Sequence, residues 1–396
     1  MISPISPRNP MKDRVAIAGA ATTGFQPRNT DRSQASYVAE ACKAVLSQCG
    51  LTPRDVDGLC GSLPSAPAVQ NMLGIPEVTW FANPMIPFGN HVAAAVSAVH
   101  SGLCDVVLAY HGAYRMAWNT GSALKDPFRR GAAFGSAGIP QPESVAGSVG
   151  YTAWASRYIH EFGVPRTSLG YVAVNDRTNA MANPAAAMRD PLTMDDYLAA
   201  RMIREPLCLY DMDIAVDGGD AFIITTAERA ADLPLPPVLV NAVVLGMADK
   251  NDEDQTPSLR QHGQQVTVEA LKAKSDFWID DIDVLLAYDG FSVIALNWLE
   301  NAGFCDPGEA GAFIEDNWVA SDDGTGRVMI KGRVPLNPHG GSLSEGGTQG
   351  SGHLREAVHQ LQGLAGDRQV PDAERALVAI GGFFFNAEGI TLRRSA

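Results

Sequence analysis

Two short segments in different halves of the chain are nearly the same. Residues 105–112 read DVVLAYHG and residues 283–290 read DVLLAYDG, so six of the eight positions are identical. Each is an apolar run ending in glycine, which is typical of a buried strand. Strand and helix patterns alternate around both, which predicts an α/β fold of two similar halves that arose by duplication. The alternative is chance, since buried strands draw on few residue types.

A proline-rich segment at residues 233–237 (LPLPP) separates the predicted halves. We therefore place the N-terminal half at residues 11–235 and the C-terminal half at 236–396. An irregular stretch at about residues 113–206 predicts an insertion over the core of the first half.

Apolar spacing and stop signals give the coarse elements. The predicted helices cover residues 33–49, 89–100, 258–274, 293–302 and 352–362. The predicted strands cover residues 15–20, 55–61, 105–112, 221–226, 238–246, 283–290 and 376–380.

Charge and cysteine usage exclude several classes of function. The net charge of −14 argues against a nucleic-acid-binding protein, because no surplus of Lys and Arg exists to neutralise phosphates. The six cysteines are scattered without a CxxC pair, which indicates reduced thiols and no zinc site. No apolar run reaches the length of a membrane span and no signal peptide is evident, so we expect a cytoplasmic protein.

A glycine-rich stretch near the C-terminus has the composition of a ligand-binding loop. Residues 337–352 read NPHGGSLSEGGTQGSG. Glycines allow the backbone to approach a ligand closely. We expect Ser351 to cap a helix that begins at Gly352, where the free N–H groups favour an oxyanion or a phosphate.

This stretch resembles the glycine-rich active-site loop of the thiolase superfamily. Two further elements, DGGDA at residues 217–221 and YDGFS at residues 288–292, strengthen the resemblance, which covers nearly the whole chain. It implies a thiolase fold, with two similar βαβαβαββ halves stacked in five layers (αβαβα). It also implies a homodimer.

The chain departs from the superfamily at the positions that carry its chemistry. The nucleophilic cysteine falls near Ile86, where no cysteine occurs, and the histidine of the Gly-His-Pro motif falls on Gly347. Tyr288 stands at the catalytic position of the His-Asp-x-Phe element. Without the thiol, an acyl-enzyme cannot form by the usual route.

These departures resemble a subgroup, the cysteine-lacking aldolases that shorten steroid side chains and carry Tyr-Asp-x-Phe. The resemblance implies retro-aldol cleavage of a β-hydroxyacyl-CoA to a ketone or aldehyde and a short acyl-CoA. It implies a small OB-fold and zinc-ribbon partner in a heterotetramer. CoA would enter as part of the substrate, no cofactor would be covalently bound, and zinc would occur only in the partner. A second tyrosine of that subgroup is replaced by Gly347.

Two other functions stay open at this point. The chain is alternatively a cysteine-independent acyl-CoA acyltransferase of the Claisen type, or a non-catalytic thiolase-like scaffold. The missing cysteine argues against the acyltransferase. The retained glycine-rich loop and Tyr288 argue against the scaffold.

The catalytic candidates are residues that can move protons or polarise a carbonyl. For each, the alternative is a side chain satisfied within the core. The candidates for catalysis are Tyr288, His339, His353 and His91. The candidates for binding the substrate or an oxyanion are Asn337, Gly340, Gly341, Glu345, Gly347 and Ser351. The basic pair Arg129 and Arg130 is a weaker candidate for a CoA phosphate.

Overall fold

The computed structural model describes residues 5–27, 32–114, 148–249, 258–260, 262–382 and 387–395. The candidate pair Arg129 and Arg130 lies outside these residues, as does much of the predicted insertion. None of the described helices is long and apolar enough to cross a membrane.

The N-terminal half is built on five strands. They are β1 (Val15–Gln26), β2 (Gly58–Cys60), β3 (Trp80–Ala82), β4 (Val106–Tyr114) and β7 (Asp217–Thr226), with the short pair β5 (Met202–Arg204) and β6 (Leu207–Cys208) outside the main sheet. The helices are α1 (Gln34–Gln48), α2 (Ala66–Leu73), α3 (Gly89–His100), α4 (Ser148–Phe162), α5 (Thr167–Ala180), α6 (Met194–Ala199) and α7 (Ala227–Ala231).

The C-terminal half likewise alternates strands with helices. Its strands are β8 (Val238–Gly246), β9 (Val284–Ala287), β10 (Trp318–Ala320), β11 (Gly326–Ile330), β12 (Val334–Pro335), β13 (Arg375–Ile380) and β14 (Ala387–Arg394). Its helices are α8 (Gly263–Lys274), α9 (Ser292–Ala302), α10 (Ala310–Asp316) and α11 (Ser351–Gln362).

The two halves have the same strand order. The main sheet runs β3-β2-β4-β7-β1-β8-β14-β13-β9, and Leu336, just past β12, bridges to β9 at the far edge. Outward from β1, the N-terminal half has the order β1, β7, β4, β2 and β3. Outward from β8, the C-terminal half has the order β8, β14, β13 and β9, with Leu336 beyond β9. The two orders correspond position by position. The halves join where β1 and β8 pair at only Ala16–Leu239 and Ile17–Val238.

Two helices lie between the halves. α3 contacts strands β8 and β14 of the C-terminal half, and α11 contacts strands β1 and β7 of the N-terminal half. One buried apolar cluster contains residues of both helices and of both parts of the sheet. A second cluster packs α1 and α2 on the outer face of the N-terminal half, and a third packs α5, α8 and α9 on the C-terminal half. This gives the predicted helix–sheet–helix–sheet–helix layering.

Some predicted elements have the observed bounds and others are shifted. α3 and β8 have the predicted ends, whereas β9 ends at Ala287 and releases Tyr288 from the sheet. The prediction of Ser351 as a helix cap is wrong. Gly350, with φ +89°, occupies that position because it takes a left-handed conformation, and the Ser351 hydroxyl instead donates to Asp220 at 2.6 Å. Strand β14 was not predicted.

Candidate active site

Tyr288 leaves the sheet at the carboxyl end of β9. Its backbone N–H still donates to the carbonyl of Ala379 on β13 at 2.9 Å. Its side chain is 7% exposed, and its ring lies tilted against the His353 ring of α11 with 5.5 Å between centroids. The end of the strand and the start of the helix thus bring two predicted catalytic side chains together.

His353 and Asp289 form a buried pair beside Tyr288. The Nε2 of His353 lies 3.0 Å from Oδ1 of Asp289. The N–H groups of Ser342 and Leu343 also donate to this carboxylate, at 2.7 and 2.8 Å. Gly341, with φ +58°, must be glycine, since a Cβ would lie 2.2 Å from Oδ2 of Asp289. The glycine-rich loop is therefore shaped to hold this carboxylate.

A second carboxyl group, Asp176 of α5, faces Asp289. Burial and then the charge of Asp289 raise the pKa of Asp176 well above its ordinary value. Burial opposes ionisation of Asp289, but the hydrogen bond from His353 lowers its pKa, so we assign the charge to Asp289. An anionic Asp289 accepts the Nε2 proton of His353. The Nδ1 of His353 has no hydrogen-bond partner in the described part of the chain and is left as a proton acceptor.

His339 packs edge-on against His353, with 4.6 Å between ring centroids. Burial and then the neighbouring His353 hold the pKa of His339 well below its ordinary value, so this imidazole is neutral. Its Nε2 lies 4.0 Å from Oε2 of Glu345. Asn183 donates both to the His339 carbonyl and to Oε1 of Glu345, at 2.8 Å each. Asn183 therefore fixes His339 relative to Glu345.

Glu345 belongs to a buried ion network behind these histidines. Arg355 of α11 binds both Glu345 and Asp220, and all three side chains are almost fully buried. Burial raises the pKa of Glu345 to about 7, while Arg355 opposes the rise. Because Asp220 is on β7, the network ties α11 of one half to a strand of the other.

The remaining loop residues position the backbone. Asn337 makes two hydrogen bonds of 2.9 Å with the backbone of Ala287, the residue before Tyr288. Gly340, with φ +100°, lies against α5, where a Cβ would be 2.5 Å from that of Ala180. The Gly347 N–H donates to the carbonyl of Ile214 at 2.8 Å. Roles for these residues in substrate binding stay predictions.

Comparison with known proteins agrees with this geometry. Residues 247–394 match the family described as thiolase C-terminal domain-like. The steroid side-chain-cleaving aldolase of Thermomonospora curvata is 33% identical, over 92% of this chain and 94% of the relative. The 17-hydroxy-3-oxo-4-pregnene-20-carboxyl-CoA lyase of Mycobacterium tuberculosis is 32% identical, over 94% of this chain and 97% of the relative. This chain belongs to the thiolase superfamily.

A solved structure extends the likeness of this thiolase-superfamily chain to three dimensions. The Ltp2-ChsH2(DUF35) aldolase superposes with a TM-score of 0.82 at 30% identity, over 97% of this chain and 98% of that chain. The thiolase fold and the resemblance to the steroid side-chain aldolases, both predicted from the sequence, are confirmed.

The turn that carries the nucleophile in thiolases is apolar here. Phe88 caps α3 and stacks on His91, with 5.0 Å between ring centroids. Burial and then the nearby His111 lower the pKa of His91 to about 3, and neither ring nitrogen has a hydrogen-bond partner among the described residues. These contacts place His91 with Phe88 rather than with Tyr288. Its catalytic role stays a prediction.

The cysteines of this thiolase-superfamily chain are poor nucleophiles. All six are free thiols, and burial raises the pKa of each above its ordinary value. A thiol that stays protonated neither attacks a thioester nor binds a metal readily. Across the described ranges, no three His, Cys, Asp or Glu side chains are arranged to hold a metal ion.

Sequence reasoning missed the acidic and amide groups that orient the histidines. Asp176 and Asn183 lie in the segment interpreted as irregular, and Arg355 was not singled out. Asp289 could have been found, since it follows Tyr288 directly in the element that resembles His-Asp-x-Phe.

Proposed function

We propose that this chain is an acyl-CoA lyase that cleaves a β-hydroxyacyl-CoA by a retro-aldol reaction. The products are a ketone or aldehyde and a shorter acyl-CoA. One observation carries the proposal. Tyr288 and the Asp289–His353 pair occupy a thiolase-superfamily site that has no thiol nucleophile. The names of the two relatives confirm the predicted enzyme class, a carbon–carbon lyase.

The reaction needs proton transfer but no covalent intermediate. A base removes the proton of the β-hydroxyl group, and the oxygen electron pair forms the new carbonyl. The Cα–Cβ bond breaks, and its electron pair passes to the thioester as an enolate. A proton at Cα then completes the short acyl-CoA, so the reaction is redox-neutral.

Tyr288 and His353 can supply the first proton transfer. A tyrosine hydroxyl titrates near pH 10 in water, so it acts as a base only if its proton can pass on to another group. In our proposal Tyr288 contacts the β-hydroxyl group and His353 receives the proton at Nδ1. Anionic Asp289 stabilises the imidazolium that forms, through the hydrogen bond at Nε2.

The thioester oxygen needs donors as negative charge develops on it. Neutral His339, whose ring nitrogens have no hydrogen-bond partner in the described part of the chain, can donate from its ring. The ion network of Arg355 and Glu345 holds α11 and the loop in place. We assign the enolate oxygen to this region.

The substrate class follows from the relatives. The name of the Mycobacterium tuberculosis lyase puts a hydroxyl group on carbon 17 and the thioester on carbon 20 of a steroid. That arrangement is a β-hydroxyacyl-CoA with a tertiary alcohol. We propose a substrate of this kind, with CoA entering as part of it and with no covalently bound cofactor.

A partner protein belongs to the proposal. The name of the Ltp2-ChsH2(DUF35) aldolase describes an assembly with a second protein. We propose that this chain forms a homodimer that binds two copies of a small OB-fold and zinc-ribbon protein, the only component that would hold zinc.

The test is a product assay with CoA thioesters that carry a tertiary β-hydroxyl group, with and without the candidate partner. We expect a ketone and a short acyl-CoA without added free CoA. Tyr288→Phe should lose about 100-fold to 10,000-fold in rate, the usual contribution of a proton-transfer group. Tyr171→Phe is the matched control, because Tyr171 packs on Trp318 away from the site.

Other outcomes would contradict the proposal. Cleavage that depends on free CoA would support the acyltransferase. Binding of CoA thioesters with no cleavage, even with the partner present, would support the scaffold.

A further inference from the structure

Glu388 is a buried carboxyl group that the reaction above does not use. It lies on β14, is 2% exposed, and accepts a hydrogen bond of 2.7 Å from the Asn90 side chain at Oε1. Its Oε2 has no hydrogen-bond partner in the ranges that the structure describes. Burial raises its pKa to about 8, although the backbone N–H groups of Gly89 and Asn90 oppose the rise. Glu388 is therefore an uncharged acid near neutral pH.

The local structure is built around this group. Gly89 is the first residue of α3, and a Cβ there would lie 2.2 Å from Oε2 of Glu388 and 2.9 Å from its Cβ. Only glycine admits the carboxyl group at this place. Glu388 thus fills the space in front of α3, beside the turn where a thiolase cysteine would stand.

Glu388 and Tyr288 lie at the same end of the strands of the sheet. Tyr288 bonds to Ala379 on β13, and the next residue, Ile380, pairs with Glu388 on β14. With β13 between them, the two backbones are about 10 Å apart, given about 4.8 Å per strand. Both side chains meet the central helices, Tyr288 at His353 of α11 and Glu388 at Asn90 of α3.

The two helix ends are also joined directly. The Phe88 N–H, at the start of α3, donates to the carbonyl of Gln349 at 2.9 Å. Gln349 precedes Gly350, which caps α11 and packs against Ile380. A short acyl-CoA bound at this junction would have Tyr288 on one side and Glu388 on the other.

We propose that Glu388 is the acid that delivers the proton to Cα of the enolate. This inference rests on the retro-aldol function proposed above. The carboxyl O–H bond breaks, the proton joins the enolate electron pair at Cα, and the thioester carbonyl re-forms. The Glu388 carboxylate then recovers a proton from solvent, which balances the proton taken from the β-hydroxyl group. In reverse, the carboxylate removes an α-proton from the short acyl-CoA.

The reverse step gives a direct test. The enzyme, with its partner if required, is incubated with propionyl-CoA in D2O, and deuterium at Cα is followed by mass spectrometry. We expect steady incorporation by the wild type. Glu388→Gln, which keeps shape and burial, should slow it by about 100-fold or more, as loss of an acid–base group does. Glu300→Gln is the matched control, a half-buried carboxyl group bound to Tyr158 elsewhere, and should exchange at the wild-type rate.

A second variant protects the test against misfolding. If Glu388→Gln does not fold, Gly89→Ala displaces the carboxyl group and should slow exchange in the same way. Exchange at the wild-type rate in either folded variant overturns the proposal. A wild type that cleaves β-hydroxyacyl-CoA but does not exchange also overturns it and leaves the lyase function standing. Glu388-dependent exchange without cleavage supports Glu388 and rejects the lyase function.

Discussion

The two halves each present the start of one helix to the central layer, and the two starts differ sharply in chemistry. At α11, of the C-terminal half, His353, Asp289 and His339 lie among hydrogen bonds and buried charges. At α3, of the N-terminal half, Phe88 and His91 lie in apolar surroundings. The two helix starts occupy equivalent positions in the two halves, and the polar chemistry is concentrated at one of them.

Glu388 qualifies this contrast. It stands in front of α3, but it comes from the C-terminal half, since it is on β14. The N-terminal half therefore contributes an apolar wall and a glycine, and the proton-transfer groups come from the other half. The turn without a nucleophile is therefore lined by apolar side chains of one half and by the Glu388 carboxyl group of the other.

The largest expected effect comes from replacing, in separate variants, the histidines near the two helix starts. His353→Asn removes the acceptor at Nδ1 and should lower kcat/KM for thioester cleavage by about 100-fold to 10,000-fold. His91→Leu should keep the wild-type kcat/KM, because its ring has no hydrogen-bond partner in the described ranges and sits in apolar surroundings. The sequence predicts that His91 is catalytic, so the sequence and the structure give opposite expectations for this variant. Equal losses in both variants would break the comparison.

The next effect concerns stability. Arg355→Met would leave Asp220 and Glu345 buried without their cation, which should cost about 3–5 kcal/mol in the free energy of unfolding. Lys331→Met removes an exposed pair with Asp280 and should cost little, because water screens an exposed ion pair. Denaturant unfolding of both variants measures the difference. Similar small losses would mean that the network does not hold α11.

The smallest effect, taken per pH unit, is a slope of the free energy of unfolding with pH. The pKa of Glu388 rises from its ordinary 4.5 to about 8 on folding, so the folded state keeps a proton that the unfolded state loses. The free energy of unfolding therefore falls as pH rises through this window, by at most about 1.4 kcal/mol per pH unit from this group. Glu388→Gln should show a flatter slope than the wild type in denaturant unfolding between about pH 5 and about pH 8. Parallel slopes would show that Glu388 ionises normally.

Apolar patterns predicted the scaffold well. The helix Gly89–His100 and the strand Val238–Gly246 have the bounds that their spacing indicates. Both bury apolar side chains against the sheet or its helices, so the hydrophobic period reports their burial. The segment at residues 283–290 was over-extended as a strand, because Tyr288 and Asp289 leave the sheet to serve the site.

Apolar patterns did not predict the elements that bury polar side chains. Helix α5 buries Asn175, Asp176, Arg177 and Asn179, which an apolar pattern interprets as exposed. Strand β14 places Glu388 and Thr391 in the interior, and no apolar run marks it. Buried polar residues are tolerated when partners from distant segments satisfy them, and those partners cannot be read from local sequence. Glu388 and Asp176 were missed for this reason.

The small number of strand pairs between the halves has a consequence for folding during synthesis. Only two residue pairs join β1 to β8, and the central helix of each half is covered by the sheet of the other. When the first half leaves the ribosome, α3 can pack on the strands of its own half, but its face toward β8 and β14 has no cover until those strands follow. An emerging chain of this design is therefore exposed to aggregation for as long as synthesis of its second half takes.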